Sequence, residues 1–326
     1  MNTASLTQTE FSLTQTARPS DYIALMKPRV MSLVIFTAFT GLVCAPGHID
    51  LVLGAASILA VAAGAGAAGA LNMWYDADID AKMSRTRTRP IPSGRVAPSE
   101  ALALGLVVSI FSVLLMALAA NYVAAGLLAF TIVFYAVFYT MVLKRRTDQN
   151  IVIGGLAGAL PPAVAWAAVT GDVPLNAWLM VALIFLWTPA HFWALALYQS
   201  ADFQRAGLPM LPVTRGAKSA RAHILAYSVL TALIGVVPAF TGLGGGVYAA
   251  VSIIMGVTFM GLGLRVFNSR AGDIAGAAGE GGALYNVRVE ALPARDLFAF
   301  SILYLFVMFA VLLGENLIAR LSGVLV

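Results

Sequence analysis

The sequence has few charged residues and a single cysteine. Only 11% of its 326 residues are Asp, Glu, Lys or Arg, against roughly 25% in a typical soluble domain. Hydrophobic residues make up 60% of the chain and the mean hydropathy is +0.87, which excludes an ordinary water-soluble protein. Because a disulfide needs two cysteines, Cys44 cannot form one within the chain.

Signatures of several other protein classes are also missing. The sequence contains no HExxH motif, no paired CxxC and no Walker loop. Residues 64–69, GAGAAG, match a dinucleotide-binding fingerprint in spacing only, since no strand precedes them. Residues 1–20 are rich in Thr, Ser and Gln and lack the apolar centre of a secretory signal, so they predict a disordered tail.

Long apolar runs are what the sequence has in abundance. Each is about 20 residues long, enough to cross a bilayer core of roughly 30 Å. The pattern predicts an all-α polytopic membrane protein with nine transmembrane helices, a single transmembrane domain over residues 21–326. The predicted helices cover residues 30–46, 51–71, 101–119, 123–143, 151–170, 177–199, 222–241, 247–267 and 297–319.

The basic residues fall almost entirely in alternate loops. Among the predicted loops on the opposite side, only Arg320 carries a positive charge. The positive-inside rule therefore places the N-terminus and the long basic loops in the cytoplasm. We expect the membrane itself to be a bacterial inner membrane. This topology and the contact with membrane lipid account for the net charge of +5, so no nucleic-acid partner is expected.

The two halves of the chain show a similar arrangement of polar residues. Asp76 is followed by RPIPSGRV and Asp202 by LPMLPVTRG, each after an apolar run. We interpret this as two four-helix repeats, about 21–146 and 147–267, plus a last helix over 297–319. The two acidic sites would then face each other across a central cavity, although chance similarity between apolar helices with polar ends is an alternative.

Asn72, Asp76 and Asp80 form the first chemical motif. Their spacing of four residues places them along one face of a helix, whereas Asp78 points elsewhere. Neighbouring carboxylates at a membrane boundary repel each other unless a cation joins them. Mg²⁺ suits this arrangement because it binds one or two carboxylates together with water and phosphate oxygens.

The loop after this motif contains Arg85, Arg87 and Arg89 among prolines and a glycine. Guanidinium groups bind phosphate oxygens in a fork geometry, so the pairing of acidic and basic groups indicates a diphosphate substrate. The alternative is a solvated loop in which the aspartates simply pair with the arginines.

The second motif is weaker. Tyr198 and Asp202 are four residues apart at the end of the sixth predicted helix, and Arg205, Arg215 and Lys218 follow. This site has one carboxylate where the first has two, with basic groups within reach of an anion.

His191 lies well inside the sixth predicted helix, in TPAHFW. An ionisable side chain at that depth is a candidate functional residue, and neutral imidazole is a common ligand of haem iron. A histidine that merely hydrogen-bonds to a neighbouring helix is the alternative.

These segments together resemble a known family. NMWYDADID followed by RTRTRPIPSGRV resembles the first aspartate-rich motif of the UbiA-type intramembrane prenyltransferases. TPAHFWALALYQSADFQRAGLPMLPV and ARDLFAFSILYLF resemble its haem-farnesylating branch. The resemblance covers about residues 21–313 and implies nine helices, Mg²⁺, and transfer of farnesyl from farnesyl diphosphate to a vinyl group of haem B, with water added to give haem O.

The resemblance implies a central cavity among the helices, and it matches Asn72, Asp76 and Asp80 to the metal and diphosphate positions of the first motif and Asp202 to the second motif. Tyr198 departs from the superfamily's DxxxD pattern, which leaves open whether the second site holds its own metal. The expected roles are catalysis by Asn72, Asp76, Asp80, Asp202 and Lys218; metal binding by Asp76, Asp80 and Asp202; diphosphate binding by Arg85, Arg89, Arg215 and Lys218; and haem binding by His191 and Tyr198.

Two other functions remain compatible with the sequence. A related prenyltransferase acting on a quinone precursor would share the acidic motifs, and a secondary transporter would share the repeated halves. For the haem-modifying enzyme, a haem A synthase or an oxidase assembly protein is a candidate recipient of the product.

Overall fold

The described residues, 16–273 and 289–323 of a computed structural model, are almost entirely helical and contain no strand. This confirms the predicted fold class. The helices are α1 (Pro19–Leu25), α2 (Pro28–Cys44), α3 (Leu51–Tyr75), α4 (Ala77–Lys82), α5 (Pro98–Ala119), α6 (Tyr122–Val133), α7 (Asn150–Ala159), α8 (Pro161–Thr170), α9 (Leu175–Tyr198), α10 (Ser200–Arg205), α11 (Leu211–Thr214), α12 (Gly216–Val236), α13 (Gly246–Phe267) and α14 (Leu292–Leu321).

Eight helices in the described part of the chain are long and apolar enough to cross a membrane. The bent pair α1 and α2, which meet at 54°, brings the number to nine if the pair counts as one span. The nine predicted spans correspond to these helices, although the last one starts at Leu292 instead of residue 297. The sequence did not predict this earlier start because the first turn contains Arg295 and Asp296, and charged residues are not typical of a membrane-spanning helix.

Two spans are irregular in ways that the hydropathy pattern did not predict. After α6 the chain continues as a π-helix over Phe134–Leu143. The span made of α7 and α8 is interrupted at Leu160, because Pro161 and Pro162 cannot donate backbone hydrogen bonds.

Helices start and cross where the sequence provides suitable residues. Asp50 accepts hydrogen bonds from two backbone N–H groups at the start of α3, and Asn121 caps α6 in the same way. At Gly41 on α2, an added Cβ would lie 2.2 Å from the carbonyl oxygen of Pro162, so only glycine permits this close crossing with α8.

Equivalent helices have similar neighbours in the two halves. α3 packs against α5 in the first half, and α9 packs against α12 in the second. The final helix, α14, packs against α2, α9 and α13 and so joins the halves. This arrangement agrees with two repeats, which remain an interpretation.

The loops divide between two ends of the bundle. We call the end that carries loops 76–97, 144–149 and 199–215 the basic face, and the opposite end the far face. Arg320 lies at the far face, where it donates hydrogen bonds to the carbonyls of Val43, Ala45 and Gly47 at the end of α2. A cation at a helix C-terminus is favourable, which explains this exception to the charge pattern.

Most of the tail predicted over residues 1–20 lies outside the described residues. Pro19 and Ser20, however, already belong to α1. Arg95 Nε donates to Asp21 Oδ1 at 2.8 Å, which holds α1 against the loop before α5.

Candidate active site

The first acidic motif lies at a break between two helices on the basic face. α3 ends at Tyr75, Asp76 forms the break and α4 begins at Ala77. The backbone N–H of Asp76 still donates to the carbonyl of Asn72, at 3.0 Å, and that of Asp80 to the carbonyl of Asp76, at 2.8 Å. The four-residue spacing therefore survives the break.

Asn72 and Asp76 form a buried hydrogen-bonded pair. Asn72 Nδ2 donates to Asp76 Oδ2 at 2.7 Å and to Thr140 Oγ1, on the π-helix, at 3.1 Å. The amide oxygen of Asn72 accepts from Lys27 Nζ at 2.6 Å. One amide thus connects the α1–α2 bend, α3 and the π-helix.

The Asp76 carboxylate has no exposed surface, and cations surround it. Lys144 Nζ donates to Oδ2, and Arg145 Nη2 lies 3.7 Å from Oδ1. Oδ1 accepts no hydrogen bond from the described residues. Burying an unpaired charge costs free energy, so the ion pair with Lys144 stabilises this carboxylate. The lone pairs of Oδ1 accept no hydrogen bond and can bind a further ligand.

Asp80 is also buried and paired with a cation. Arg89 Nη1 donates to Asp80 Oδ2 at 2.7 Å, and Thr86 Oγ1 donates to the carbonyl of Asp80. Asp78, on the opposite side of α4, is half exposed and forms a bidentate pair with Arg145. The structure therefore separates Asp78 from the buried acids, as the helical spacing predicts.

The second acidic motif has a related geometry. α9 ends at Tyr198, Gln199 forms the break and α10 follows. Asp202 lies inside α10, so its position corresponds more closely to Asp80 than to Asp76. Ser84 Oγ donates to Asp202 Oδ2 at 2.6 Å, and Arg205 pairs with the other oxygen.

Ser84 therefore joins the loop of the first half to the acid of the second half. Arg85 lies between the two acidic sites: protein surrounds it on most sides, yet its side chain remains accessible to solvent. This burial and the like charge of Arg89 lower the pKa of the Arg85 guanidinium, whereas Asp80, Tyr198 and Asp202 oppose that shift.

Two predicted diphosphate ligands are not part of this cluster. Arg215 is 51% exposed and forms a bidentate pair with Asp148, with Nη2 3.1 Å from Oδ1. The hydrogen bond from Arg215 lowers the pKa of Asp148. Lys218 is exposed on the first turn of α12 and makes no ion pair within the described residues.

His191 and Tyr198 are both buried on α9. Tyr198 is the last residue of the helix, and His191 lies about two turns before it. The rings of Trp187 and Phe298 stack on the two faces of His191, and Phe298 also contacts Tyr198 edge to face at 6.0 Å. The two candidate haem contacts thus share one aromatic neighbour on α14.

A profile of the UbiA prenyltransferase family matches residues 33–278. The chain belongs to the UbiA prenyltransferase family. It is 60% identical over 306 residues to a protein curated as protoheme IX farnesyltransferase from Caulobacter vibrioides, covering 92% of each chain. It is also 60% identical over 301 residues to the same enzyme from Maricaulis maris, covering 92% of this chain and 91% of the relative.

Solved structures share the fold of this UbiA family member at low identity. A UbiA homologue from Archaeoglobus fulgidus bound to GPP and Mg²⁺ superposes with a TM-score of 0.64 at 18% identity, covering 90% of this chain and 99% of the homologue. A structure of digeranylgeranylglyceryl phosphate synthase gives a TM-score of 0.71 at 15% identity, covering 91% and 98%.

Sequence reasoning missed three residues that complete the first site of this UbiA protein. Lys27, Lys144 and Thr140 contact the Asn72–Asp76 pair. From the sequence alone, the two lysines are only two of the many basic residues that indicate the topology. Lys27 adopts a left-handed backbone conformation with φ 52° at the bend between α1 and α2. Such a conformation is unusual for a non-glycine residue and often marks a functional site, but it has no sequence signature.

Proposed function

We propose that this protein transfers the farnesyl group of farnesyl diphosphate to a vinyl group of haem B with addition of water, giving haem O and diphosphate. The observation that carries the proposal is its 60% identity, over about nine-tenths of both chains, to proteins curated as protoheme IX farnesyltransferase. The buried cluster of acidic and basic groups on the basic face supports it, because a prenyl diphosphate requires both.

Asp76, Asp80 and Asp202 are the residues that would hold Mg²⁺. The buried Oδ1 of Asp76, which accepts no hydrogen bond from the described residues, supports this assignment, as does the all-oxygen donor set. In the described ranges no group of three or more His, Cys, Asp or Glu side chains is placed to hold a metal ion, so water and substrate phosphate would have to complete a Mg²⁺ site here. When bound, Mg²⁺ neutralises charge on the diphosphate.

The basic side chains of the site would bind the diphosphate itself. Lys144 and Arg89 pair with Asp76 and Asp80 in this structure, and Lys27 and Arg85 lie beside the same groups. These cations can turn towards phosphate oxygens and stabilise the charge that develops as the allylic C–O bond breaks. Each well-placed group contributes several kcal/mol to such stabilisation. Lys218 and Arg215 would reach the diphosphate only from the edge of the site.

An apolar groove on the lipid-facing side of the bundle is the proposed place for the farnesyl chain. The groove lies between the π-helix, α7 and α9 and has a volume of about 570 Å³, and Ile153 and Trp178 in its wall are 42% and 46% exposed. Apolar side chains and lipid around the farnesyl chain would keep water from the allylic cation until it reached the acceptor. It is lined by Phe134, Val152, Ile153, Leu156, Trp178, Val181, Ala182 and Phe185.

His191 and Tyr198 would contact haem B. The electron-rich vinyl group attacks the allylic carbon as diphosphate leaves, and water adds to the resulting cation beside the macrocycle and loses a proton. Haem O would then pass to a partner such as a haem A synthase or an oxidase assembly protein.

The decisive experiment is to incubate the purified protein with haem B, farnesyl diphosphate and Mg²⁺ and to determine the mass of the pigment. We expect the mass of haem B plus a farnesyl group and a hydroxyl group, because the added water loses one proton. A parallel reaction with an aromatic quinone precursor in place of haem B tests the nearest alternative. Prenylation of that acceptor and not of haem would overturn the proposal.

We also propose that the basic face is cytoplasmic. The clustering of Lys and Arg in its loops supports this orientation. In a Cys44→Ala background, single cysteines introduced at Ser269 and at Thr241 should be labelled by a membrane-impermeant thiol reagent from opposite sides of the membrane. Labelling of Ser269→Cys from outside intact cells would reverse the orientation.

A further inference from the structure

The imidazole of His191 is enclosed on both faces. The Trp187 ring lies 4.3 Å away at an interplanar angle of 19°, and the Phe298 ring 4.5 Å away at 23°. Phe192 contacts the ring edge to face at 5.1 Å. With its two faces covered, only the edge of the ring can reach a ligand, and the two ring nitrogens lie on that edge.

One of those nitrogens, Nδ1, forms a hydrogen bond with Ser301 on α14. Ser301 Oγ lies 2.6 Å from His191 Nδ1 and also donates to the carbonyl oxygen of Phe298 at 2.6 Å. A hydroxyl group has a single proton. Since Ser301 donates that proton to Phe298, it can only accept from His191, and this requires the proton of the neutral imidazole to be on Nδ1.

The position of Ser301 is itself fixed. Trp187 Nε1 donates to the backbone carbonyl of Ser301 at 2.7 Å, so the same tryptophan that stacks on His191 also holds its hydrogen-bond partner. Ser301 is fully buried, and water therefore does not compete for its hydroxyl. His191 Nε2 makes no hydrogen bond with the described residues, and 9% of the His191 surface remains accessible.

We propose that Ser301 is a positioning residue that holds His191 as the Nδ1–H tautomer and so presents the Nε2 lone pair to the iron of haem B. The inference rests on the proposed function in taking haem B as the ligand. Histidines that bind a metal through one nitrogen almost always donate a hydrogen bond from the other, which fixes the ring and raises its basicity. Ser301 provides that second contact from a different helix.

The first test measures the tautomer without haem. In a full-length protein with His48→Gln and His223→Gln, His191 is the sole histidine, and ¹⁵N-histidine solid-state NMR reports which ring nitrogen carries the proton. We expect protonated Nδ1 in this background and in Ser301→Thr, which keeps the hydroxyl, and a mixture of tautomers in Ser301→Ala. A proton on Nε2 in the parent protein would overturn the proposal.

The second test is a haem B titration followed by its Soret band. Ser301→Ala should weaken haem binding about tenfold, the lower end of the effect of losing a metal ligand's hydrogen-bond partner, while farnesyl diphosphate binding is unchanged. Ser252→Ala is the matched control, because Ser252 is also fully buried and donates to the carbonyl three residues before it.

The two tests separate this inference from the proposed function. Equal haem affinity and identical spectra for Ser301→Ala and the Ser252→Ala control would overturn the role of Ser301, even if the protein makes haem O. A parent protein that binds no haem B would remove the proposed substrate, and the NMR result would then decide the tautomer alone.

Discussion

The two helix breaks on the basic face have the same backbone form but different chemistry. In each half a long helix ends at a tyrosine, Tyr75 or Tyr198, and a six-residue helix follows after one residue. The break residue is Asp76 in the first half and Gln199 in the second. Only the first half therefore places a carboxylate in the break, where two cationic side chains approach it.

This difference shows that the two acidic sites are not equivalent. Asp76 is fully buried between Asn72 and Lys144, whereas Asp202 pairs with the exposed Arg205 and with a serine from the other half. Both carboxylates are buried, but the side chain of Arg205 is 61% exposed whereas that of Lys144 is 18% exposed, so solvent screens the ion pair of Asp202 more than that of Asp76. We infer that the first half binds the main share of the metal and diphosphate charge and that the second half assists.

The largest effect should come from Asp76. We expect Asp76→Asn to lower farnesyl transfer in membranes by roughly a thousandfold, the upper end of the loss for one group that stabilises developing charge. Asp78→Asn is the matched control, since Asp78 lies two residues away but is half exposed, and its rate should stay within about twofold of the parent. Retention of a tenth of the activity by Asp76→Asn would remove Asp76 from the site.

A smaller loss is expected for Asp202. Asp202→Asn should lower kcat/KM by roughly ten- to a hundredfold, a loss of about 1.4 to 2.8 kcal/mol, and should raise the Mg²⁺ concentration needed for half-maximal rate. Steady-state rates over a Mg²⁺ series measure both. A loss as large as that of Asp76→Asn would show that the two halves contribute equally, contrary to the asymmetry inferred above.

Ser84 tests how the halves are connected. Its hydroxyl hydrogen bond to Asp202 contributes about 1 kcal/mol, so Ser84→Ala should lower kcat/KM about fivefold. Ser269→Ala, which removes a loop hydroxyl that makes only local hydrogen bonds with the backbone of Val266 and Ala271, is the control and should have no effect. In the double variant with Asp202→Asn, the Ser84 effect should vanish; full additivity would mean that the two side chains act independently.

Arg215 should give the smallest effect of the four. Its pair with Asp148 is largely exposed and contributes less than about 1 kcal/mol to stability. Because Arg215 lowers the pKa of Asp148, this contribution is present at neutral pH and is lost as the pH falls through the lowered pKa. Thermal unfolding of Arg215→Gln between neutral and acidic pH measures it. A tenfold rise in the KM for farnesyl diphosphate would instead show that Arg215 leaves Asp148 to bind substrate.

The sequence predicted the helices and the acidic groups because both follow from short-range patterns. Apolar runs identified the spans, and the four-residue spacing placed Asn72, Asp76 and Asp80 on one side, with Asp78 apart. The position of Asp202 relative to its helix break was not predicted, since the break at Gln199 depends on packing. For the same reason the sequence did not associate Lys27 or Lys144 with Asp76. Each lysine lies in a segment distant from Asp76 in the chain, and the positive-inside rule accounts for any basic residue at this end of a membrane helix, whatever its partner.

The pairing of Arg215 with Asp148 was unpredictable for a similar reason. The two residues lie in different loops of the basic face, 67 positions apart in the chain, and only the packing of α7 against α9 brings these loops together. The sequence showed that Arg215 carries a charge near the site but not which acid it meets.

Because of the π-helix between Phe134 and Leu143, the number of residues in this span is as important as their identity. Thr140 donates to the carbonyl five residues earlier, and Lys144 follows directly after the last wide turn. Removing one residue, for example Val137, would break the i to i+5 pattern of this segment and change the direction in which Lys144 points. Lys144 would then leave Asp76 without any substitution in the site, so this span should tolerate changes of side chain far better than changes of length.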